Sequence, residues 1–211
     1  MKKIFISLYS VIKKEKHIIR FILLLFLIGT ICGSLFVNFL SESDKKILLQ
    51  QTTDFFNNIK SGSNLVYGIS FFKKDIVNNL LQITGLYILG LSIIGVIVVI
   101  IIIFFKGFIL GMTLSSIIFK YNVKGILGVV LYVFPLYIIK IGVYTFASLF
   151  VIYSSLKFLK AVLKKESINF KTFLGKYIFS YFISLLLIFS VSLLDSYITP
   201  FFLKIFITLI K

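Results

Sequence analysis

The chain has 211 residues, of which 59% are hydrophobic and only 14% are charged, and its formal net charge is +16. Soluble domains are about 45–50% apolar, so this composition excludes a water-soluble globular protein and predicts one all-α, polytopic membrane domain. The apolar runs are continuous rather than alternating, which argues against a β-barrel, and the bases form no patterned domain that could bind nucleic acid.

The N-terminal region predicts a cytoplasmic basic segment followed by an uncleaved first span. Residues 1–20 carry six bases and one acid, and residues 21–40 are apolar. A signal peptide has a shorter apolar region of ~7–15 residues and then a small-x-small cleavage site, whereas Ser-Glu-Ser-Asp follows here. We therefore expect the N-terminus in the cytoplasm.

Residues 41–79 form the longest polar stretch and predict an amphipathic helix on the extracytoplasmic side. Ser41 and Asp44 have the spacing of a helix N-cap, and Gly62 can end the helix. The apolar face of this helix would consist of Leu48, Thr52, Phe55 and Ile59.

Residues 80–105 predict the second span, because the segment from Ile76 to Phe105 has no charged residue and is long enough to cross a bilayer. Lys106 would mark its cytoplasmic end. Residues 107–119 are apolar but short, so they predict either a third span or a re-entrant segment.

Residues 125–156 predict a fourth span, broken near Pro135 and Lys140. Residues 157–176 form a second basic block with six bases and one acid, residues 177–194 form the fifth span, and residues 195–211 form an amphipathic tail. The positive-inside rule places both basic blocks in the cytoplasm and the tail outside. We therefore predict about five transmembrane helices.

Small residues four apart predict close helix packing, either within the bundle or against another subunit, so homo-oligomerisation stays open. Gly29-x-x-x-Gly33 and Gly107-x-x-x-Gly111-x-x-x-Ser115 have this spacing. The candidate residues for helix packing or partner contact are Gly29, Gly33, Gly90, Gly95, Gly107, Gly111, Pro135 and Lys140.

Lys140 is the one charge inside an apolar run that cannot be a simple flank, and no acid lies in any predicted span. It could reach a lipid headgroup or meet a carboxylate of another protein, and carbonyls freed near Pro135 could accept from it. A dyad of Lys140 with Ser115, Ser116 or Ser148 is formally open, but no spacing supports it. The single histidine and single cysteine, His17 and Cys32, favour neither a metal site nor catalysis, so we predict no catalytic residue, cofactor or metal.

Several motifs, taken in order along the chain, resemble those of the stage II sporulation protein M family. They are the Ile-Leu-Gly-Leu-Ser-Ile-Ile-Gly run at Ile88–Gly95, Phe-Lys-Gly-Phe at Phe105–Phe108 with Gly111 after it, Val133-Phe134-Pro135, and Tyr-Ile-Thr-Pro at Tyr197–Pro200. The length, the basic N-terminus and the five-span layout agree with this family.

The resemblance implies a function that the residues alone do not. Family members lack an enzyme site and anchor a complex with the sporulation proteins D and P, which cut peptidoglycan. The complex thins the septal wall and drives forespore engulfment, so the expected location is the mother-cell side of the septum. The alternative is a membrane permease or exporter subunit for a small solute or lipid, favoured by Lys140 and Pro135. A lipid-organising role, through anionic headgroups on the basic blocks, is a third reading.

Overall fold

The computed structural model describes residues 2–60, 69–92, 94–164 and 170–210, and the regular structure in these ranges is entirely helical. This confirms the predicted all-α polytopic class. The helices are α1 (Lys2–Lys14), α2 (Lys16–Phe39), α3 (Glu42–Lys60), α4 (Ile69–Gly90), α5 (Gly95–Gly128), a π-helix (Val129–Val133), α6 (Phe134–Lys164) and α7 (Phe170–Ile210).

Four of these helices contain segments that are long and apolar enough to cross a membrane. The segments are Lys16–Phe39, Gly95–Leu131, Phe134–Leu163 and Phe170–Thr208. Helix α4 packs against α6 and α7 as a fifth long helix, but its mean hydropathy is lowered by Lys73, Lys74 and Asp75 near its start. The protein is therefore a multi-pass membrane protein, and the orientation of its termini stays a prediction.

The predicted boundary between the second and third spans is wrong. Helix α4 ends at Gly90, and after a turn α5 begins at Gly95 and runs through Lys106 without a break. Residues 80–105 are therefore not one helix, and residues 107–119 are part of α5 rather than a separate short segment. In the turn, the Ser92 hydroxyl donates to the Leu89 carbonyl oxygen over 2.7 Å, and a Cβ on Gly95 would lie 2.7 Å from the Gly90 Cα.

The chain turns back sharply at Asn122, within the short polar stretch that separates the predicted third and fourth spans. Asn122 has φ 49° and ψ −128°, a left-handed value that breaks the regular helix. A Cβ on Gly125 would lie 2.6 Å from the Ile117 carbonyl oxygen, eight residues earlier, which no straight helix permits. The part of α5 that follows Asn122 therefore continues into the π-helix and α6.

The chain around Pro135 forms a π-helix that continues into α6, whereas the sequence predicts a span broken near Pro135 and Lys140. Proline has no N–H, and its ring clashes with the carbonyl four residues earlier. The chain accommodates this with the π-helix of residues 129–133, in which the Phe134 N–H donates to the Val129 carbonyl oxygen five residues back.

The last predicted span is too short, because α7 continues through Asp195 and Pro200 to Ile210. The residues expected to form an outer tail instead belong to the bundle, and Leu203 and Phe206 are fully buried. The Phe206 ring packs against Gly128 and Tyr121 from the region of the Asn122 turn. The tail is therefore not a free segment.

Helix α3 has the predicted N-cap but a different buried anchor. The Ser41 hydroxyl accepts from the Asp44 N–H at 3.2 Å and donates to the Asp44 carboxylate at 2.6 Å. Phe56 is 1% exposed, and its ring makes edge contacts with Tyr121 and Phe206. Phe55, on the predicted apolar face that could meet lipid, the bundle or a partner, is exposed; the Ile59 side chain and Gly62 lie outside the described residues.

Two apolar clusters lie toward opposite ends of the bundle. One joins Leu8 and Val11 of α1 to the parts of α6 and α7 that contain Phe150 and Tyr177. The other joins α3 to the far ends of α5 and α7 through Phe56 and the residues around it. The first arrangement brings α1 and the start of α7 to one end, so the described parts of the two basic blocks lie on the same side of the bundle.

Candidate functional site: a buried ion cluster

Lys140 is held by two carboxylates of the same chain. Its Nζ lies 3.1 Å from Asp75 Oδ1 and also contacts Asp195 Oδ2. All three side chains are at most 17% exposed. The expectation that Lys140 reaches a headgroup, a freed carbonyl or another protein is therefore replaced by internal pairing that joins α4, α6 and α7.

Along α5 and α7, the charged residues of this region lie between the two apolar clusters. On α7, Asp195 follows Val191 of the first cluster and precedes Leu203 of the second. On α5, Lys106 lies between Ile103 of the first cluster and Leu110 of the second. Lys106 therefore does not mark the cytoplasmic end of a span, as predicted, but lies inside the bundle.

Aromatic and amide groups extend this polar region. The Lys106 Nζ lies 3.7 Å from the centroid of the Tyr144 ring, a cation–π contact. The Tyr144 hydroxyl lies within hydrogen-bond distance of Asn79 Oδ1 (3.0 Å) and Gln82 Oε1 (2.9 Å), and it donates to one of them at a time. Asn79 Nδ2 in turn donates to Ser192 Oγ over 3.3 Å.

The ion cluster borders a cavity of about 170 Å³. Its walls are formed by Asp75, Asn79, Lys106, Tyr137, Lys140, Ile141 and Tyr144. The second oxygen of Asp75, Oδ2, is buried there without a hydrogen-bond partner. A buried carboxylate oxygen without a donor is costly, so this cavity is a place where water or a small polar solute would be stabilised.

The formal charges of Lys106, Lys140, Asp75 and Asp195 sum to zero. Charges buried in low-dielectric surroundings are costly unless they are paired in this way. Asp195 also accepts a hydrogen bond from the Thr199 hydroxyl, one turn later on α7. Across the described ranges, no group of three or more His, Cys, Asp or Glu side chains is placed to hold a metal ion. Chemically, the cluster can tie three helices together or stabilise a polar solute.

The serines considered beside Lys140 in the sequence have other environments. The Ser115 hydroxyl donates to the Ser34 carbonyl oxygen over 3.2 Å, and the Ser116 hydroxyl donates to the Thr113 carbonyl oxygen over 2.9 Å. Ser148 Oγ is buried without a partner.

Four of the candidate glycines form one seam between α2 and α5. A Cβ on Gly33 would lie 2.7 Å from the Phe108 carbonyl carbon, and one on Gly111 would lie 2.8 Å from the Ser34 N. Gly29 and Gly107 meet the facing backbone in the same way, at Phe104 and Phe26. The small residues thus pack within the chain, and homo-oligomerisation through another surface stays a prediction.

Gly90 and Gly95 permit close packing at the turn between α4 and α5. A Cβ on Gly90 would lie 2.7 Å from the Val151 side chain, and the Ser155 hydroxyl donates to the Gly90 carbonyl oxygen over 3.2 Å. The Tyr177 hydroxyl donates to the Tyr87 carbonyl oxygen over 2.6 Å. Together these contacts hold the turn between α4 and α5 against α6 and α7.

The sequence does not single out Asp75 and Asp195, because both lie in segments whose polarity predicts an extracytoplasmic location. The signal that could have found them is helical spacing. Asp75 is followed at four and seven residues by Asn79 and Gln82, which places the three polar side chains in one stripe along the helix. Asp195 similarly precedes Thr199 by four residues.

Comparison with known proteins gives one match that covers most of the chain. A family model described as Stage II sporulation protein M matches residues 22–200. No curated protein and no solved structure matches the chain. The matched range runs from Ile22 in α2 to Pro200 in α7, and it contains the whole ion cluster and the glycine seam.

Proposed function

This chain belongs to the stage II sporulation protein M family of sporulation-associated membrane proteins, and from that membership we propose that it is a non-catalytic scaffold. In this proposal it anchors and localises peptidoglycan hydrolases at the sporulation septum, where they thin the septal wall and permit engulfment. Its partners would be the sporulation proteins D and P, and its location the mother-cell side of the septum.

The observation that carries this proposal is the pairing of Lys140 with Asp75 and Asp195. Lys140 is the charge that the sequence left open for chemistry or transport. Both of its carboxylate partners come from the same chain, so the positive charge of Lys140 is neutralised by ion pairs that join three helices. Breaking such a buried pair typically costs about 3–5 kcal/mol. A role in holding the bundle together fits a protein that presents fixed surfaces to partners.

Two surfaces at the far end of the bundle support partner binding. Helix α3 is anchored through Phe56 but leaves Ile47 and Phe55 exposed. The end of α7 exposes Tyr197 and Phe201 on the side away from its buried residues. Exposed aromatic side chains are enriched where membrane proteins meet interfaces and other proteins.

The test is complementation of a deletion strain during sporulation. Deletion should stall engulfment and disperse fluorescent fusions of both hydrolases from the septum, although both are still made. A tagged wild-type chain should restore localisation and capture both hydrolases from detergent extracts. Gly142→Leu, at an exposed position where a Cβ meets nothing within 4 Å, should complement, whereas Gly33→Leu, which separates α2 from α5, should not. Normal hydrolase localisation and engulfment without the protein would defeat the proposal.

The polar cavity favours a second candidate, a permease or exporter subunit. A cavity of about 170 Å³ with two lysines and one aspartate on its walls is a feature of transport pathways in membrane bundles. This candidate predicts solute flux in proteoliposomes that Lys140→Leu abolishes. Flux that is equal with the wild-type chain, with Lys140→Leu and in empty vesicles would reject transport and leave the scaffold proposal standing.

A further inference from the structure

A second cavity lies at the end of the bundle where the basic blocks meet. It has a volume of about 230 Å³, and its apolar wall includes Leu8 and Val11 of α1 and Phe150 of α6. A water molecule needs only about 10–15 Å³ of such space, so the cavity has room for a polyatomic ligand. It is separate from the ion cluster, and neither the family membership nor the proposed function uses it.

Ser154 lines this cavity and carries a hydroxyl without a hydrogen-bond partner. It is 1% exposed, and its hydroxyl has no hydrogen-bond partner. A serine inside a helix ordinarily donates to the carbonyl oxygen three or four residues earlier, as Ser184 does to Ser180 over 3.0 Å. Because a buried hydroxyl without a partner is destabilising, this group is suited to a ligand that accepts its hydrogen.

Two lysines add positive charge to the same walls. Lys157 of α6 and Lys176 of α7 both line the cavity, and the Lys157 Nζ lies 5.0 Å from the centroid of the Phe173 ring. Neither lysine forms an ion pair with an acidic residue among those that the structure describes. Glu15 is the acid that interacts electrostatically with the cavity residue Tyr153, and it is bound to His17 at 3.2 Å.

We propose that this cavity binds the phosphate group of an anionic ligand, with Lys157, Lys176 and Ser154 donating to its oxygens. Lysine ammonium groups and hydroxyls are established phosphate donors, and charge-assisted hydrogen bonds are the strong ones. The apolar wall suits the glycerol and upper acyl region of a phospholipid. The same phosphate chemistry is also offered by free phosphate, so the experiment separates the two sources.

The first measurement is lipid binding by the full chain purified in neutral detergent. Native mass spectrometry would count bound phosphatidylglycerol and phosphatidylcholine at equal concentrations. We expect a clear preference for phosphatidylglycerol, which Lys157→Gln/Lys176→Gln lowers by about tenfold, the factor equivalent to ~1.4 kcal/mol. The matched control is Lys160→Gln/Lys171→Gln, which removes the same charge from two neighbouring exposed lysines and should keep the preference.

Ser154→Ala separates ligand binding from structure. The unliganded hydroxyl has no partner to lose, so this variant should unfold at the same or a higher temperature while binding less phosphatidylglycerol. If Lys157→Gln/Lys176→Gln does not fold, Ser154→Ala still tests whether the cavity binds the lipid. Equal losses in both double variants would show diffuse attraction and overturn the site, as would equal binding of the two lipids or unchanged binding by Ser154→Ala.

Inorganic phosphate added as a competitor identifies the source. Displacement of phosphatidylglycerol by millimolar phosphate would support a site that recognises the phosphate group by itself. Retention of the lipid under the same conditions, with the loss in Ser154→Ala, would support a phospholipid headgroup site in which the apolar wall contributes.

Discussion

The glycine seam between α2 and α5 allows a quantitative test of what holds the bundle together. Gly33→Ala would place a methyl group 2.7 Å from the Phe108 carbonyl carbon, and closer still to its oxygen. Ordinary van der Waals contact begins at 3.4 Å, so the two backbones must separate by at least 0.7 Å. Backbone atoms cannot rotate away as a flexible side chain can, and the separation must therefore involve whole helices.

The energetic cost has three contributions. Overpacking against an unyielding neighbour costs about 1–3 kcal/mol, and the upper end applies to a backbone clash. Separation also stretches the hydrogen bonds from Ser34 to the Gly111 carbonyl oxygen (3.3 Å) and from Ser115 to the Ser34 carbonyl oxygen (3.2 Å), each worth ~0.6 kcal/mol in a membrane bundle. Alanine regains up to about 1 kcal/mol of helix propensity. The net destabilisation is about 3 kcal/mol.

The assay is unfolding in mixed micelles, followed by circular dichroism as the fraction of denaturing detergent increases. Gly142→Ala is the matched control, because a Cβ there meets nothing within 4 Å. It should be neutral or slightly stabilising, whereas Gly33→Ala should unfold at a clearly lower fraction of denaturing detergent. If Gly33→Ala were as stable as Gly142→Ala, the seam would not be a close-packed contact and the reasoning would be refuted.

Three further substitutions test the other contacts that join the helices. Lys140→Met should destabilise the bundle by about 3–5 kcal/mol in the same unfolding assay, because it leaves Asp75 and Asp195 buried and unpaired; adding Asp75→Asn and Asp195→Asn should recover most of that loss. Phe56→Ala should cost about 3–5 kcal/mol of the free energy that holds α3 to the bundle, seen as faster proteolysis within α3. Tyr177→Phe should lower the unfolding free energy by about 0.6–1.5 kcal/mol, since it removes the 2.6 Å hydrogen bond to the Tyr87 carbonyl oxygen.

Each of these substitutions has an exposed control of similar chemistry. Lys204→Met, Ile47→Ala and Tyr197→Phe remove comparable groups from positions that face the surroundings, and each should be close to neutral. A Lys140 variant no less stable than the Lys204 variant would contradict a structural role for the ion cluster. If Phe56→Ala destabilised α3 no more than Ile47→Ala does, the buried Phe56 ring would contribute no specific stability. The same would hold for the Tyr177 hydrogen bond if Tyr177→Phe and Tyr197→Phe lowered the unfolding free energy equally.

The apolar character of the long helices could be predicted from the sequence because it is a local property. Length and hydropathy identify α2, α6 and much of α7 without knowledge of their neighbours. The packing of Gly29, Gly33, Gly107 and Gly111 was predicted with its alternative, a second subunit, because spacing reveals a groove but not its occupant.

The predictions that failed depend on contacts between distant residues. The sequence predicts that Lys106 ends a span, because a lysine inside the membrane is unfavourable unless something stabilises it. The ring of Tyr144, on another helix, provides part of that stabilisation. The break between α4 and α5 was hidden for a related reason, since residues around Gly90 and Gly95 are as apolar as the helices they separate.

The contacts of α7 have a consequence for biosynthesis. This helix is translated after the other described helices, and it brings both Asp195 to Lys140 and Phe206 to Phe56. Until it enters the membrane, a nascent chain holds a lysine with only one of its two counterions, and the Phe56 ring can contact Tyr121 but not Phe206. Insertion of α7 is therefore the event that locks the helices before it, and a chain truncated before residue 195 should remain loosely assembled and open to quality-control proteases.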